Sequence, residues 1–216
     1  MSESFLRRAL NGHVLDQEQA RSVFEEMSRG ELSEIEIAAF LGALHARGEQ
    51  PSEIAGAAEA FRSAAQHFTT TAPDVIDVVG TGGDGVGTIN ISTASAFVAA
   101  SMGLKVAKHG NRAVSSKAGA ADLVEAAGIP LDLSPASSAT LLERTGFCFL
   151  FAQKYHPAMR YVAPVRGALK NPTIFNLIGP LVNPAPLSYQ VLGVGKPELL
   201  DVVAKALASL GLKHAL

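Results

Sequence analysis

An apolar run, Val75 to Val79, gives way to five glycines within eight positions: Gly80, Gly82, Gly83, Gly85 and Gly87. The polar residues Asn90, Ser92 and Thr93 follow, and then an apolar helical pattern. This is a strand that turns tightly into a helix, the building unit of a parallel sheet with helices on its faces. Glycines in such a turn let the backbone take positive φ and come close to a ligand. Successive N–H groups can then converge on an anion, and the helix N-terminus adds favourable partial charge. The stretch reads as a phosphate cradle.

The rest of the chain is organised around that turn. Before it, apolar residues repeat with helical spacing. Ala20, Val23, Phe24 and Met27 share one helix face, opened by a capping box at Asp16 and Gln19 and closed at Gly30. Ser33 and Glu36 open a second helix with the stripe Ile37, Phe40, Leu41 and Leu44, and Pro51-Ser52 start a third carrying Ile54, Ala57, Ala58 and Phe61. An amphipathic helix begins the chain. Thr69 to Pro73 reads as a linker. Beyond it, strands are expected at 75–79, 104–107, 147–152 and 189–194, alternating with helices at 93–102, 120–127, 135–144 and 197–210. The piece 157–183 interrupts this alternation and looks helical. The expected division is therefore a small helical domain of 1–70 plus 157–183, and an α/β domain of 74–155 plus 188–216. Leu212 to Leu216 reads as an opening strand, so the chain is expected to be a fragment with an incomplete sheet.

The 216 residues are 48% hydrophobic and 18% charged, with a net charge of −2. That balance gives no general affinity for nucleic acid or an anionic membrane, so anion binding must be local. The single cysteine, Cys148, excludes an internal disulfide and fits a reducing cytoplasm. It lies in an apolar run, as a buried small hydrophobe does. No segment reads as a signal peptide or a membrane span.

Gly80, Gly82 and Gly85 satisfy G-x-G-x-x-G, but a dinucleotide site also wants an acidic residue about twenty positions later. Here Lys108-His109 end the next strand, which argues against NAD, and no Gly-Lys-Ser/Thr follows to make a Walker loop. A second constellation runs from Lys108 to Gly119, with three cations interleaved with Ser115, Ser116 and glycines. It lies between a strand and a helix, at the sheet edge where ligands bind. It reads as a loop that closes over phosphate; a solvated basic loop is the alternative. Arg160 and Arg166 form a third group. An arginine can grip a carboxylate bidentately, although spacing alone favours surface ion pairs.

Gly-Thr-Gly-Gly-Asp at 80–84, Asn-Ile-Ser-Thr at 90–93, Lys-His-Gly-Asn-Arg at 108–112 and Ser-Ser at 115–116 resemble the anthranilate phosphoribosyltransferase family. So do Tyr-His-Pro-Ala at 155–158, Pro-Val-Arg at 164–166 and the run Thr173 to Pro184. The resemblance implies a nucleoside phosphorylase/phosphoribosyltransferase-like fold, with a small helical N-terminal domain hinged to a larger α/β domain with a mainly parallel sheet. It implies transfer of the phosphoribosyl group of phosphoribosyl pyrophosphate to the amine of anthranilate, in tryptophan biosynthesis, with release of pyrophosphate. Contacts to phosphoribosyl pyrophosphate are then expected from Gly80, Gly82, Gly83, Asp84, Thr88, Asn90, Ser92, Thr93, Lys108, His109, Gly110, Asn111 and Ser116. Gly80, Asn111 and Arg166 are expected to meet anthranilate. Lys108, His109 and Asn111 would position the transition state, with His109 either a base or a neutral hydrogen-bonding group. Mg2+ is the implied cofactor, with Ser92 as a ligand. The family's later Asp-Glu pair, which helps bind magnesium, has no match within 1–216. A cytoplasmic homodimer through the helical domain is implied, with no nucleic-acid or membrane partner. The alternatives are a pyrimidine nucleoside phosphorylase, or a non-catalytic paralogue that binds nucleic acid.

Overall fold

The computed structural model describes residues 2–81, 89–113 and 118–216. They form two compact units. The first comprises the residues up to Ala65, His156–Val182 and Glu198–Gly211; the second comprises Gln66–Tyr155, Asn183–Pro197 and Leu212–Leu216.

The helical unit opens with α1 (Ser2–Leu10), α2 (Gln17–Arg29), α3 (Glu34–Arg47) and α4 (Pro51–Ser63). Its helix starts follow local chemistry. Asp16 Oδ1 accepts from the Gln19 amide at 2.9 Å, and the Ser33 hydroxyl from the Glu36 amide at 3.3 Å. Gly30 ends α2 at φ 75°, a left-handed value natural to glycine. The core is a cluster of aromatic rings meeting edge to face. Phe24 lies 5.3 Å from Phe40 and 6.1 Å from Phe175, and Phe61 lies 5.0 Å from Phe175. Glu53 is buried yet fully engaged: its carboxylate accepts from the Leu15 and Gln50 amides, each at 3.1 Å, and from Arg47 at 2.6 Å. A buried charge is tolerated only with such partners.

The second unit carries β1 (Ile76–Gly80), α5 (Ile91–Ser101), β2 (Val106–Gly110), α6 (Ala120–Ala126), α7 (Pro135–Thr145), β3 (Phe147–Phe151) and α8 (Ala152–Tyr155). The chain then passes through α9 (Ala163–Leu169) and α10 (Ile174–Ile178) of the helical unit. It returns as β4 (Tyr189–Gly193), and after α11 (Leu200–Ser209) reaches β5 (His214–Ala215). The sheet order is β3-β2-β1-β4-β5, and every pairing is parallel. Both faces are buried along β2 and β3, while Val191 of β4 and the two residues of β5 are exposed. Alternation sends Val78, Val106, Phe147 and Phe149 to one face, with Ala96, Ala121 and Val124. Ala107, Cys148 and Leu150 go to the other, with Leu142 and Tyr155.

Several boundaries differ from the sequence reading: the first helical stretch ends at Ala65 rather than 70, and Asn183, expected with the helical domain, falls in the sheet unit. Residues 188–216 are expected with the sheet throughout, but Glu198–Gly211 cluster with the helical unit. There α11 packs on α4 and buries Val203, Ala206 and Leu207. The second strand, expected at 104–107, runs from Val106 to Gly110, so Lys108 and His109 lie inside it with Gly110 after them. Pairing with β3 from Val106↔Phe147 to Gly110↔Phe151 holds them in the ladder.

Candidate functional site

The order of the sheet locates the site. β1 is central, its crossover neighbours lie on opposite sides, and ligands bind beyond the carboxyl ends of strands where the order reverses. At that point Gly80 of β1 faces Gly193 of β4. The Thr81 amide donates to Gly193 O at 2.9 Å, and the Gly195 amide to Thr81 Oγ1 at 3.1 Å. The Gly-Val-Gly run at 193–195 is a glycine turn after a strand that sequence reasoning left out of the site.

Asn90 is the N-cap of α5, and its Nδ2 donates to Gly119 O at 2.9 Å. The start of α5 is thereby fastened to the far end of the loop that leaves β2. Ser92 is half-buried and Thr93 buried in the first turn of that helix. The same loop is secured by Asp122, whose Oδ2 accepts from the Gly119 amide at 2.7 Å and the Ala113 amide at 3.1 Å. Those bonds, with Arg112 beside it, hold the Asp122 carboxyl below the usual carboxylate range. Arg112 itself is committed to Asp122 at 3.0 Å and Glu125 at 2.8 Å. One of the three cations of this stretch is therefore engaged in tying down the loop. Asn111 is exposed, with its Oδ1 accepting from Gln153 Nε2 at 3.3 Å.

Lys108 and His109 are only 2% and 4% exposed. The Lys108 Nζ donates to Val78 O at 2.7 Å. Burial lowers its pKa, and the charge of Asp77 opposes that shift. Asp77 is wholly buried; desolvation pushes its carboxyl up to about 6, against the pull of Lys108, Asn183 and backbone amides. Asp77 and Asn183 escaped the sequence reading. The available signal was an acid inside an otherwise apolar strand. Gly82, Gly83, Asp84, Thr88 and Ser116 lie outside the described residues.

In the helical unit, Arg166 is half-buried, with its guanidinium 5.4 Å from the centre of the Phe175 ring. No carboxylate pairs with it among the described residues, and desolvation lowers its pKa. Arg160 does not join it, because its guanidinium lies over the Tyr161 ring at 4.6 Å and bonds the hydroxyl of that residue. The surface ion pair that spacing favoured is thus replaced by two separate aromatic stacks. Tyr155 is a core residue, 1% exposed, and Cys148 is fully buried, its thiol pKa pushed up by desolvation.

His156 is 4% exposed, and burial pushes its pKa down to about 4 against hydrogen bonding with the Phe61 and Val182 backbone. A histidine depressed on folding is protonated more readily when unfolded, so stability present above its ordinary pKa is lost as pH falls from about 6.5 to 4. Asp77, raised on folding, acts in the opposite sense between about 6 and its ordinary value. Replacing His156 by asparagine should therefore remove about 2 kcal/mol of the stability lost between pH 7 and pH 5. Urea unfolding at the two pH values checks this; an unchanged pH dependence would refute it.

The comparisons with known proteins bear on the family and the fold. Residues 72–216 match the "Glycosyl transferase family, a/b domain", and residues 3–65 match the helical bundle domain of the same family. An anthranilate phosphoribosyltransferase of Aeromonas salmonicida (strain A449) is 51% identical over 208 residues, covering 96% of this chain and 62% of that protein. One from Idiomarina loihiensis is 52% identical over 211 residues, covering 98% and 63%. The crystal structure of anthranilate phosphoribosyltransferase from Thermus thermophilus superposes with a TM-score of 0.93 at 50% identity, covering 96% of this chain and 63% of that one. The enzyme from Saccharomyces cerevisiae, in complex with PRPP and Mg, gives 0.89 at 30% identity, covering 98% and 63%. The chain thus spans a little over three fifths of the length of these relatives. It belongs to the glycosyl transferase family, with the family's helical bundle at residues 3–65 and its a/b domain at 72–216.

Proposed function

We propose that this chain serves an anthranilate phosphoribosyltransferase, which moves the phosphoribosyl group of phosphoribosyl pyrophosphate to the amine of anthranilate and releases pyrophosphate. The observation that carries the proposal is the meeting of β1, the start of α5 and the loop after β2, clasped by the Asn90–Gly119 hydrogen bond. The identity of about one half with enzymes of that name supports the chemistry.

Anthranilate's amine is neutral at physiological pH and needs no strong base. The demanding part is an oxocarbenium-like sugar and a departing polyanion. Protein work of this kind is positioning and electrostatics. Gly80, Gly82 and Gly83 offer backbone N–H groups, with Asp84 and Thr88 beside them. Asn90, Ser92 and Thr93 hold phosphate oxygens at the start of α5. Gly110 at the end of β2, with Asn111 and Ser116 beyond it, excludes water. Lys108 supplies positive charge from within β2, and His109 beside it positions the transition state as a base or a neutral hydrogen-bonding group.

Among the described residues no three His, Cys, Asp or Glu side chains gather as a metal site. The half-buried Ser92 hydroxyl fits an ion held mainly by substrate oxygens and water, which is how magnesium binds phosphorylated ligands. Bound there, Mg2+ supplies charge neutralisation for the leaving pyrophosphate.

Arg166 grips the anthranilate carboxylate. A desolvated guanidinium backed by an aromatic ring and lacking a carboxylate partner among the described residues supports this role. Arg166→Ala should raise the anthranilate KM about a hundredfold, because a charge-assisted pair contributes about 1.5–3 kcal/mol, and leave that for phosphoribosyl pyrophosphate nearly unchanged. Steady-state kinetics with each substrate varied in turn tests the assignment, and equal losses for both would count against it. The proposal includes a cytoplasmic homodimer through the helical unit. Leu10, Val14 and Ile35 there are 44%, 49% and 82% exposed, and equilibrium sedimentation reads the mass.

A further inference from the structure

The two flanks of β1 are joined to their neighbours differently. On one side β1 pairs with β4 from Ile76↔Tyr189 to Gly80↔Gly193, and the ladder runs on through the Thr81 amide to Gly193 O at 2.9 Å. On the other side its pairing with β2 is confined to Ile76↔Val106, where the Ile76 amide donates to Lys105 O at 2.9 Å. A parallel ladder continued from there would give Ala107 O the Val78 amide, and Val78 O the His109 amide. Side chains take those four groups. Ala107 O accepts from Asn183 Nδ2 at 2.9 Å, and Val78 O accepts from Lys108 Nζ at 2.7 Å. The His109 amide donates to Asp77 Oδ1 at 3.4 Å, the longest bond of the set, and the Val78 amide donates to the same carboxyl.

Asn183 is fixed in orientation. Its Oδ1 accepts from the Ala185 amide at 2.9 Å, which leaves Nδ2 to face Ala107 O and, at 2.8 Å, Asp77 Oδ2. Successive strand residues alternate, so Asp77 extends on the sheet face of Ala107 and Cys148, and Lys108 on the face of Val78 and Phe149. They reach one seam from opposite sides. All three side chains are at most 2% exposed. Buried backbone groups must find partners, and adjacent strands ordinarily find them in each other. Three buried polar side chains in place of ladder bonds are costly for a core alone. Their position supplies the reason. The seam opens two residues before Gly80 and Gly110, the last residues of β1 and β2. The glycine turn leaves from one of these ends, and the loop secured at Gly119 leaves from the other.

We propose that Asp77, Asn183 and Lys108 are positioning residues that keep β2 from closing onto β1, so that the turn after β1 and the loop after β2 start far enough apart to admit a phosphorylated ligand. Where the ligand sits rests on the function proposed above; the open seam does not.

The test is NMR measurement of couplings across hydrogen bonds in the whole isotope-labelled chain. In the parent, the coupling from the Thr81 amide to the Gly193 carbonyl should be present as a standard. Those from Val78 to Ala107 and from His109 to Val78 should be absent, and their presence would overturn the proposal without any variant. In Asp77→Val the two amides lose their acceptor, while Ala107 O and Val78 O each keep a second lone pair, so both couplings should appear. Affinity for inorganic pyrophosphate, read by calorimetry, should fall about a hundredfold, the loss that a misplacement of about 1 Å brings. Couplings that stay absent in the variant, or an unchanged affinity once they appear, would overturn the proposal. If Asp77→Val does not fold, Asn183→Ala strips Ala107 O of its donor and should bring in the Val78-to-Ala107 coupling with a loss of affinity in the same direction; neither appearing would overturn it. A parent chain that ignores both pyrophosphate and phosphoribosyl pyrophosphate would refute the proposed function, while the couplings still decide whether side chains hold the seam open.

Discussion

Gly119→Ala is expected to weaken phosphoribosyl pyrophosphate binding about a hundredfold, the loss that a misplacement of about 1 Å brings to a positioned site. Gly119 sits at φ −92° and ψ 179°, which alanine adopts without strain. The obstacle is space. A Cβ there would lie 2.3 Å from the Ala113 amide nitrogen, 2.5 Å from the Arg112 carbonyl carbon and 2.8 Å from Asn111 O. All three are backbone atoms, so the chain must move. Moving it loosens the bonds from Gly119 to Asp122 and Asn90, which join the loop to the start of α5. Calorimetric titration with phosphoribosyl pyrophosphate and magnesium reads the effect. Gly42→Ala is the control, since nothing lies within 4 Å of its added methyl. Unchanged affinity in Gly119→Ala would show that the clasp has no part in binding.

Gly56→Ala is expected to destabilise the helical unit by about 3 kcal/mol. The sign is informative, because helix propensity alone favours alanine by about 1 kcal/mol. Gly56 lies within α4 where that helix approaches α2. An added Cβ would meet Gln17 O at 2.4 Å, the Arg21 nitrogen at 2.7 Å and Ala20 Cβ at 2.9 Å. Two of these are backbone atoms of α2, so relief requires separating the helices and opening the interface between them. Urea unfolding with an unchanged m-value would report the loss as a lower midpoint. A midpoint equal to or above that of the parent chain would mean that the two helices are not in such close contact.

What the sequence reveals and what it conceals divide by distance along the chain. The boxes at Asp16–Gln19 and Ser33–Glu36 and the stop at Gly30 involve partners within four residues, so their spacing exposes them. The strand-turn-helix order around residue 80 is equally local. The second strand reads as 104–107 with Lys108-His109 at its end, because its apolar run stops at Ala107. What keeps Lys108 in the ladder lies elsewhere: the pairing of Val106–Gly110 with Phe147–Phe151, and the bond from its Nζ to Val78 O. For α11 the apolar face is visible, but the surface receiving it is not, and α4 is far upstream. Arg166 stands out in the sequence as a cation at a suggestive spacing. Only folding shows that it rests on Phe175 while Arg160 rests on Tyr161.

The helical unit draws on three separated stretches, and its last helix is formed by residues 200–209. During translation α4 would therefore leave the ribosome long before α11 exists to cover its flank, with the glycine turn and the loop after β2 made in between. Expression of residues 1–65 alone would leave that flank bare, so an isolated bundle invites self-association or chaperone capture.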